Sequence, residues 1–291
     1  MQHAVPMTQT MTEPMPASVA ELIDAWAQAM ADVRAVVDQL GEGGWRHPSL
    51  LPGWTVADVV AHLTWIERIM LGRSDMPHEP DWQALPHATS AFGRATEIPV
   101  DLRRSHARAD VLAEFDTTIA DRVLALRHGP QELDAPATDP FGRPSTLDGV
   151  LRMRTFDTWV HSQDIRLAVG LPGGTQTAAA RVAAERIASA LGFVWARKVG
   201  APEGDTLVLE VAGTPWSLRR CVVRGSDGKG RSIDPPAAPT VRLTMSLDDF
   251  VQLGCGRTRP GRSLAQAAAA VRIDGDQDLG TRAVQALMIT P

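Results

Sequence analysis

The segment RTFDTWVHSQDIRLAVG, residues 154–170, restricts the fold more than any other stretch of this chain. It reads as one helix in which Arg154, Asp157, His161 and Asp164 recur at spacings of three, four and three. That spacing stacks four polar groups on a single helical face. Val150 and Ala168 bracket the stripe, and Met153, Phe156, Val160 and Leu167 adjoin it. Little of the helix is left to face water, so the polar face requires a neighbour inside a helical assembly.

Three further segments can supply that neighbour. Ser18 and Glu21 form a capping-box pattern ahead of an apolar face of Leu22, Trp26, Met30, Val33, Val37 and Leu40, and Gly41 stops the helix. Thr55 and Asp58 repeat the pattern ahead of Val59, Leu63, Ile66 and Met70. A third helix runs from about Leu102 to Leu126, with Leu112, Phe115, Ile119 and Val123 on its inner face. Ser145 and Asp148 cap the quoted helix, which ends before Gly170. Residues 72–99, with Pro77, Pro80, Pro86 and Pro99, read as a long excursion. Four long helices predict an α-helical four-helix bundle over residues 17–170.

From LPGGT at 171 the pattern changes. An alanine-rich helix spans roughly 176–198, followed by the short strands TLVLEV at 206, WSLRRCVV at 216, TVRLTM at 240 and AVRIDG at 270. Helical stretches near 246–254 and 277–288 complete a smaller α+β domain over 175–291. At 291 residues the chain is long enough for two domains. Residues 1–16 lack the basic start and apolar centre of a signal peptide and read as a disordered tail.

The formal net charge of −5 argues against nucleic acid as the main partner. No apolar run is long enough to cross a bilayer. The two cysteines, Cys221 and Cys255, make neither a disulfide framework nor a metal-binding pair. These features fit a cytoplasmic enzyme or binding protein with small-molecule partners.

All eight histidines lie between positions 3 and 161, so any histidine chemistry belongs to the first half. His62 lies one turn from Val59 and Ile66 and projects from an apolar stripe. Asp157 and His161, four apart, sit about 6 Å apart along one face and can converge on one ion. Two imidazoles, one carboxylate and an open position form the catalytic arrangement of zinc. Bland readings fit the same spacing: an exposed ion pair for Asp157 and His161, and a satisfied core residue for His62. Asp58 is explained by its capping position. Asp164 suits a residue orienting an imidazole, and Arg154 either neutralises Asp157 or contacts an anionic substrate. Asp164 and Arg154 are thus the candidate catalytic residues. Ser162 is no dyad partner for His161, because adjacent helical positions do not face each other. GSDGKGR at 225–231 lacks the ending and context of a phosphate loop and reads as a hairpin turn. Cys255 reads as a small buried residue, and Trp65 and Trp159 as walls of a pocket. The two domains are expected to meet around that pocket, with Arg219, Arg220, Arg224 or Arg257 supplying positive charge.

LPGWTVADVVAHLTW, RTFDTWVHSQDIRLAVG and the terminal VRIDGDQDLGTRAVQALMITP together resemble the mycothiol-dependent maleylpyruvate isomerase family, over nearly the whole chain after about residue 17. The resemblance implies a DinB-like four-helix bundle followed by an α+β domain related to sterol carrier proteins. It places the family's first metal histidine on His62, and its glutamate and second histidine on Asp157 and His161. The sequence departs from the family there, since aspartate reaches one methylene less far than glutamate. By this resemblance the chain is a zinc-dependent enzyme, or one using another divalent metal, in which a low-molecular-weight thiol attacks a small electrophile. Mycothiol is the thiol the family implies, and isomerase or S-transferase chemistry the outcome. The alternatives are a metal-assisted hydrolase, with Asp164 as its acid or base, and a non-catalytic protein binding a metal and a small ligand.

Overall fold

The computed structural model describes residues 15–290. The disordered tail expected over 1–16 therefore lies almost wholly outside the described residues. Helix α1 (Val19–Asp38) starts at the expected capping box, in which Ser18 accepts from the Glu21 amide and Glu21 accepts from the Ser18 amide. A single turn, α2 (Glu42–Trp45), leads to α3 (Val56–Met70), where Thr55 and Asp58 repeat the device. Each such cap contributes about 1 kcal/mol.

The proline-rich excursion holds a helix that the sequence reading missed. Helix α4 (Ala91–Arg104) is capped by the Ser90 hydroxyl on the Gly93 amide and carries Pro99 inside it. The expected single helix over 102–126 is in fact the end of α4 and a separate α5 (Arg108–His128). The chain breaks between them because Ala107 is extended, with φ −66° and ψ 148°.

Two short strands, β1 (Pro136–Thr138) and β2 (Pro144–Thr146), pair antiparallel and feed directly into α6 (Leu147–Ala168). The α6 cap is Thr146, accepting from the Gly149 amide, and not Ser145. Ser145 is committed to the hairpin opposite Ala137, and Asp148 instead pairs with Arg152 at 2.7 Å.

Beyond α6 the alanine-rich stretch forms α7 (Ala178–Ser189), then the turn α8 (Leu191–Phe193) and a π-helical turn at Val194–Lys198. It is one path but not one α-helix. A mixed five-stranded sheet follows in the order β5-β4-β3-β6-β7. Its strands are β3 (Thr206–Ala212), β4 (Leu218–Arg224), β5 (Gly230–Ser232), β6 (Val241–Ser246) and β7 (Arg272–Gly275). β3 runs parallel to β6, and the other neighbours are antiparallel. GSDGKGR makes the β4–β5 turn, as its glycines and aspartate suggested. Helices α9 (Leu247–Gly254), α10 (Leu264–Ala269) and α11 (Gln277–Gln285) complete the chain. β5 and α10 were not read from the sequence, being only a few residues long.

Helix α1 packs on α6 and α5, and α3 on α5, α4 and α6. Leu22, Trp26, Met30, Leu63, Leu151 and Ile165 form the centre of one apolar core. A second core joins the α7 alanines, Trp195, Phe250 and the strands to Phe156, Trp159 and Val160 of α6. Helix α6 thus lies between two cores, which is why its polar stripe is buried. Among the described residues no helix is long and apolar enough to cross a membrane.

Candidate metal centre

The α3 register that buries Val59, Leu63 and Ile66 also buries His62, at 7% exposure. The same burial of α6 turns Asp157 and His161 toward it. His62 Nε2 lies 3.8 Å from Asp157 Oδ2, and His161 Nε2 lies 3.6 Å from Asp157 Oδ1. The two imidazoles meet edge to face with centroids 5.1 Å apart. One donor atom from each residue lies within 4.8 Å of the others. These separations are too long for hydrogen bonds. The 3.8 and 3.6 Å separations run to different Asp157 oxygens, and with one donor per residue the set spans up to 4.8 Å. The side chains would therefore draw in to reach the ~3.4 Å edge of a tetrahedron whose donors sit about 2.1 Å from an ion.

The electrostatics suit a cation. Burial, with the charges of His161 and Arg154 adding to it and Asp157 opposing, pushes His62 down to about 3. Its imidazole is neutral at physiological pH and keeps a lone pair to donate. Burial alone would raise the Asp157 carboxyl. The Arg154 guanidinium and the two histidines outweigh it and hold the carboxyl well below the usual range. Two imidazole nitrogens and one carboxylate are a donor set that zinc and similar divalent ions accept. The imidazole side chains are 8% and 9% exposed and the Asp157 side chain 25%, so the carboxylate is the donor that solvent reaches most.

Each donor has different support. His161 Nδ1 donates to Asp164 Oδ2 at 3.0 Å, which fixes the tautomer and leaves Nε2 free to ligate. Asp164 in turn accepts from Arg257 Nε at 3.1 and 3.3 Å. Asp157 Oδ2 accepts from Arg154 Nη1 at 2.8 Å. His62 Nδ1 is buried without a hydrogen-bond partner among the described residues. Trp54 and Trp65 flank the His62 ring, with centroids 5.1 and 6.1 Å away.

The structure brings His62, Asp157 and His161 together as the spacing suggested. It sends Arg154 to Asp157 and Glu67, not to an open subsite. Asp58 is the expected cap and also pairs with Arg104 at 3.0 Å. Trp65 is at the site. Trp159 is not: it faces the second core and donates from Nε1 to the Gly174 carbonyl. Of the four candidate arginines only Arg257 arrives. Arg219 pairs with Glu210, Arg220 with Glu185, and Arg224 donates to the Ala201 carbonyl.

Sequence reading missed Trp54 and Glu67. Glu67, 1% exposed, accepts from Arg154 Nε at 2.7 Å and from Arg122 Nε at 3.2 Å. One signal for it existed: Glu67 sits four residues after Leu63 and three before Met70, on the apolar face of α3.

Cys255 is buried, as expected, and is no nucleophile. Burial, reinforced by Asp164 and Asp157 and partly countered by Arg257, pushes its thiol up to about 12. Burial raises Cys221 as well. Native protein should therefore show almost no reaction with an aromatic disulfide reagent at pH 8 within minutes, and both thiols should react in guanidinium. Rapid native labelling of either would contradict this burial.

Comparison with known proteins agrees with the family that the motifs indicated. Residues 26–166 match the family described as Mycothiol maleylpyruvate isomerase N-terminal domain. Uncharacterized proteins from two strains of Mycobacterium tuberculosis, CDC 1551 / Oshkosh and ATCC 25618 / H37Rv, are each 26% identical over 145 residues, 48% of this chain. The chain spans about half the length of these curated relatives, 53% of each. A crystal structure of a mutant of the mycothiol-dependent maleylpyruvate isomerase is similar in fold, with a TM-score of 0.53 and 18% identity. That match covers 92% of this chain and 96% of the other.

Proposed function

Because residues 26–166 belong to the mycothiol maleylpyruvate isomerase N-terminal domain family, we propose that the chain is a divalent-metal enzyme that activates a small thiol against an electrophilic substrate. His62, Asp157 and His161 would hold the ion, with zinc the best match to their chemistry, and mycothiol would be the thiol. In this reading α1, α3, α5 and α6 are a DinB-like four-helix bundle within residues 17–170. Residues 175–291 are a sterol-carrier-like domain. The observation that carries the reading is the three-donor cluster, with both imidazoles buried and Asp157 partly exposed to solvent.

A divalent ion there would lower the pKa of a thiol at its open position, so that thiolate exists near neutral pH. The chain's own residues do the rest. Asp164 keeps the proton on His161 Nδ1 and the ring in place. Trp54 and Trp65 keep bulk water from the His62 side. Addition of the thiolate to an activated double bond forms a C–S bond and leaves a single bond free to rotate. Re-forming the double bond expels the thiol and gives the geometric isomer; keeping the adduct, with a proton gained, gives a conjugate.

The hydrolase alternative finds no support in the geometry. It needs Asp164 as a free acid or base, and Asp164 is 1% exposed and engaged by both His161 and Arg257. Metal-loaded protein should turn over maleylpyruvate, or a generic electrophile, only when mycothiol is supplied. Absence of a thiol-dependent rate with every electrophile tried would refute the proposal.

A further inference from the structure

We infer that Glu67 is a positioning residue for this centre: by holding Arg154, it fixes the Asp157 carboxylate as a donor and sets the affinity for a divalent cation. The inference rests on the metal reading proposed above. Charges alternate along a buried line from Arg122 through Glu67 and Arg154 to Asp157, across three helices. Arg122, Glu67 and Arg154 are 8%, 1% and 3% exposed, so water does little to screen them.

Two consequences follow for Asp157. The first concerns orientation. Arg154 Nη1 holds Asp157 Oδ2, the oxygen 3.8 Å from His62 Nε2, and Oδ1 is left facing His161 Nε2. A guanidinium held at Nε by Glu67 cannot swing away, so the carboxylate is turned before any ion arrives. Such preorganisation removes an ordering cost from binding. It matters more here because, among the described residues, none accepts from or donates to His62 Nδ1 to brace it.

The second consequence concerns charge. A lone buried guanidinium 2.8 Å from the donor carboxylate would compete with a metal for it and repel the metal directly. Glu67, although shared with Arg122, offsets part of that charge from the far side of Arg154. Glu67→Gln keeps the shape and an acceptor for Arg154 Nε but removes the charge. It separates an electrostatic role toward the metal from simple packing.

The test uses the full chain, stripped of metal, with zinc affinity measured against a chromophoric chelator and the visible spectrum recorded with cobalt(II). Glu67→Gln should weaken zinc binding about tenfold or more, within the ~10–100-fold range for partners that orient a ligand, and should shift the cobalt bands. Arg154→Lys, which keeps charge but cannot reach both carboxylates, should do the same. Glu114→Gln is the control. Glu114 also takes two arginines, Arg103 at 2.8 Å and Arg68 at 3.2 Å, but touches none of the three donors. It should lower stability yet leave affinity and spectrum unchanged. Glu67→Gln and Arg154→Lys both binding zinc within twofold of wild type, with unshifted cobalt spectra, would overturn the inference. If Glu67→Gln does not fold, Arg154→Lys decides alone by the same criterion. Wild-type protein that binds neither ion would instead overturn the metal reading on which the inference rests.

Discussion

Replacing Glu67 by alanine should destabilise the metal-free protein by about 3–5 kcal/mol, the cost of removing one partner from a buried ion pair. Glu67 is 1% exposed and is the shared acceptor for two guanidiniums that are themselves buried. Arg154 would retain Asp157, but Arg122 would lose the only carboxylate it pairs with among the described residues. Burial already depresses the Arg122 guanidinium with Glu67 in place, so the charge left behind is an unfavourable one. An exposed pair supplies the contrast. Arg127 and Asp24 are 3.1 Å apart with side chains 59% and 67% open, and losing such a contact should barely register. Urea unfolding of wild type, Glu67→Ala and Arg127→Ala measures both. A loss below about 0.5 kcal/mol for Glu67→Ala, the size of a surface substitution, would contradict the buried network.

The second large effect falls on Asp157. Asp157→Ala leaves two imidazoles, and zinc affinity should drop by more than the roughly 100-fold upper range for losing a mere orienting partner. Asp157→Asn should also weaken the site, since a neutral amide is a poorer donor to a dication than a carboxylate. Asp157→Glu should keep the metal, because the backbone carries the fold of a family whose resemblance places glutamate there. Chelator competition reads all three. Affinity unchanged in Asp157→Ala would remove Asp157 from the donor set and leave it as a partner of Arg154 alone.

Much of this architecture can be read from local chemistry. Ser18–Glu21 and Thr55–Asp58 announce α1 and α3, because a capping box involves only four residues in a row. The i, i+4 pair of Asp157 and His161, and a histidine set in the α3 apolar stripe, were enough to nominate the three donors. Helix α4 escaped because Pro99 reads as a breaker, and the Ser90 cap that starts the helix lies among other loop-forming residues. The cap of α6 was misplaced by one residue because the β1–β2 hairpin, too short to show in periodicity, takes Ser145.

What the sequence hides is pairing at a distance. Glu67 meets Arg122 and Arg154 across 55 and 87 residues, and Asp164 meets Arg257 across 93. Arg154 and Asp164 stand out in the polar stripe and Glu67 on an apolar face, but nothing local in the sequence names Arg122 or Arg257 as their partners. Only the burial of α6 between two cores turns them into a network around one centre.

Metal stoichiometry tests most directly whether His62, Asp157 and His161 hold one divalent ion. Protein stripped with chelator, reloaded with excess zinc and desalted should retain about one zinc per chain by elemental analysis. His62→Ala and His161→Ala, folded by circular dichroism, should retain almost none. Full zinc occupancy in both variants would contradict the account.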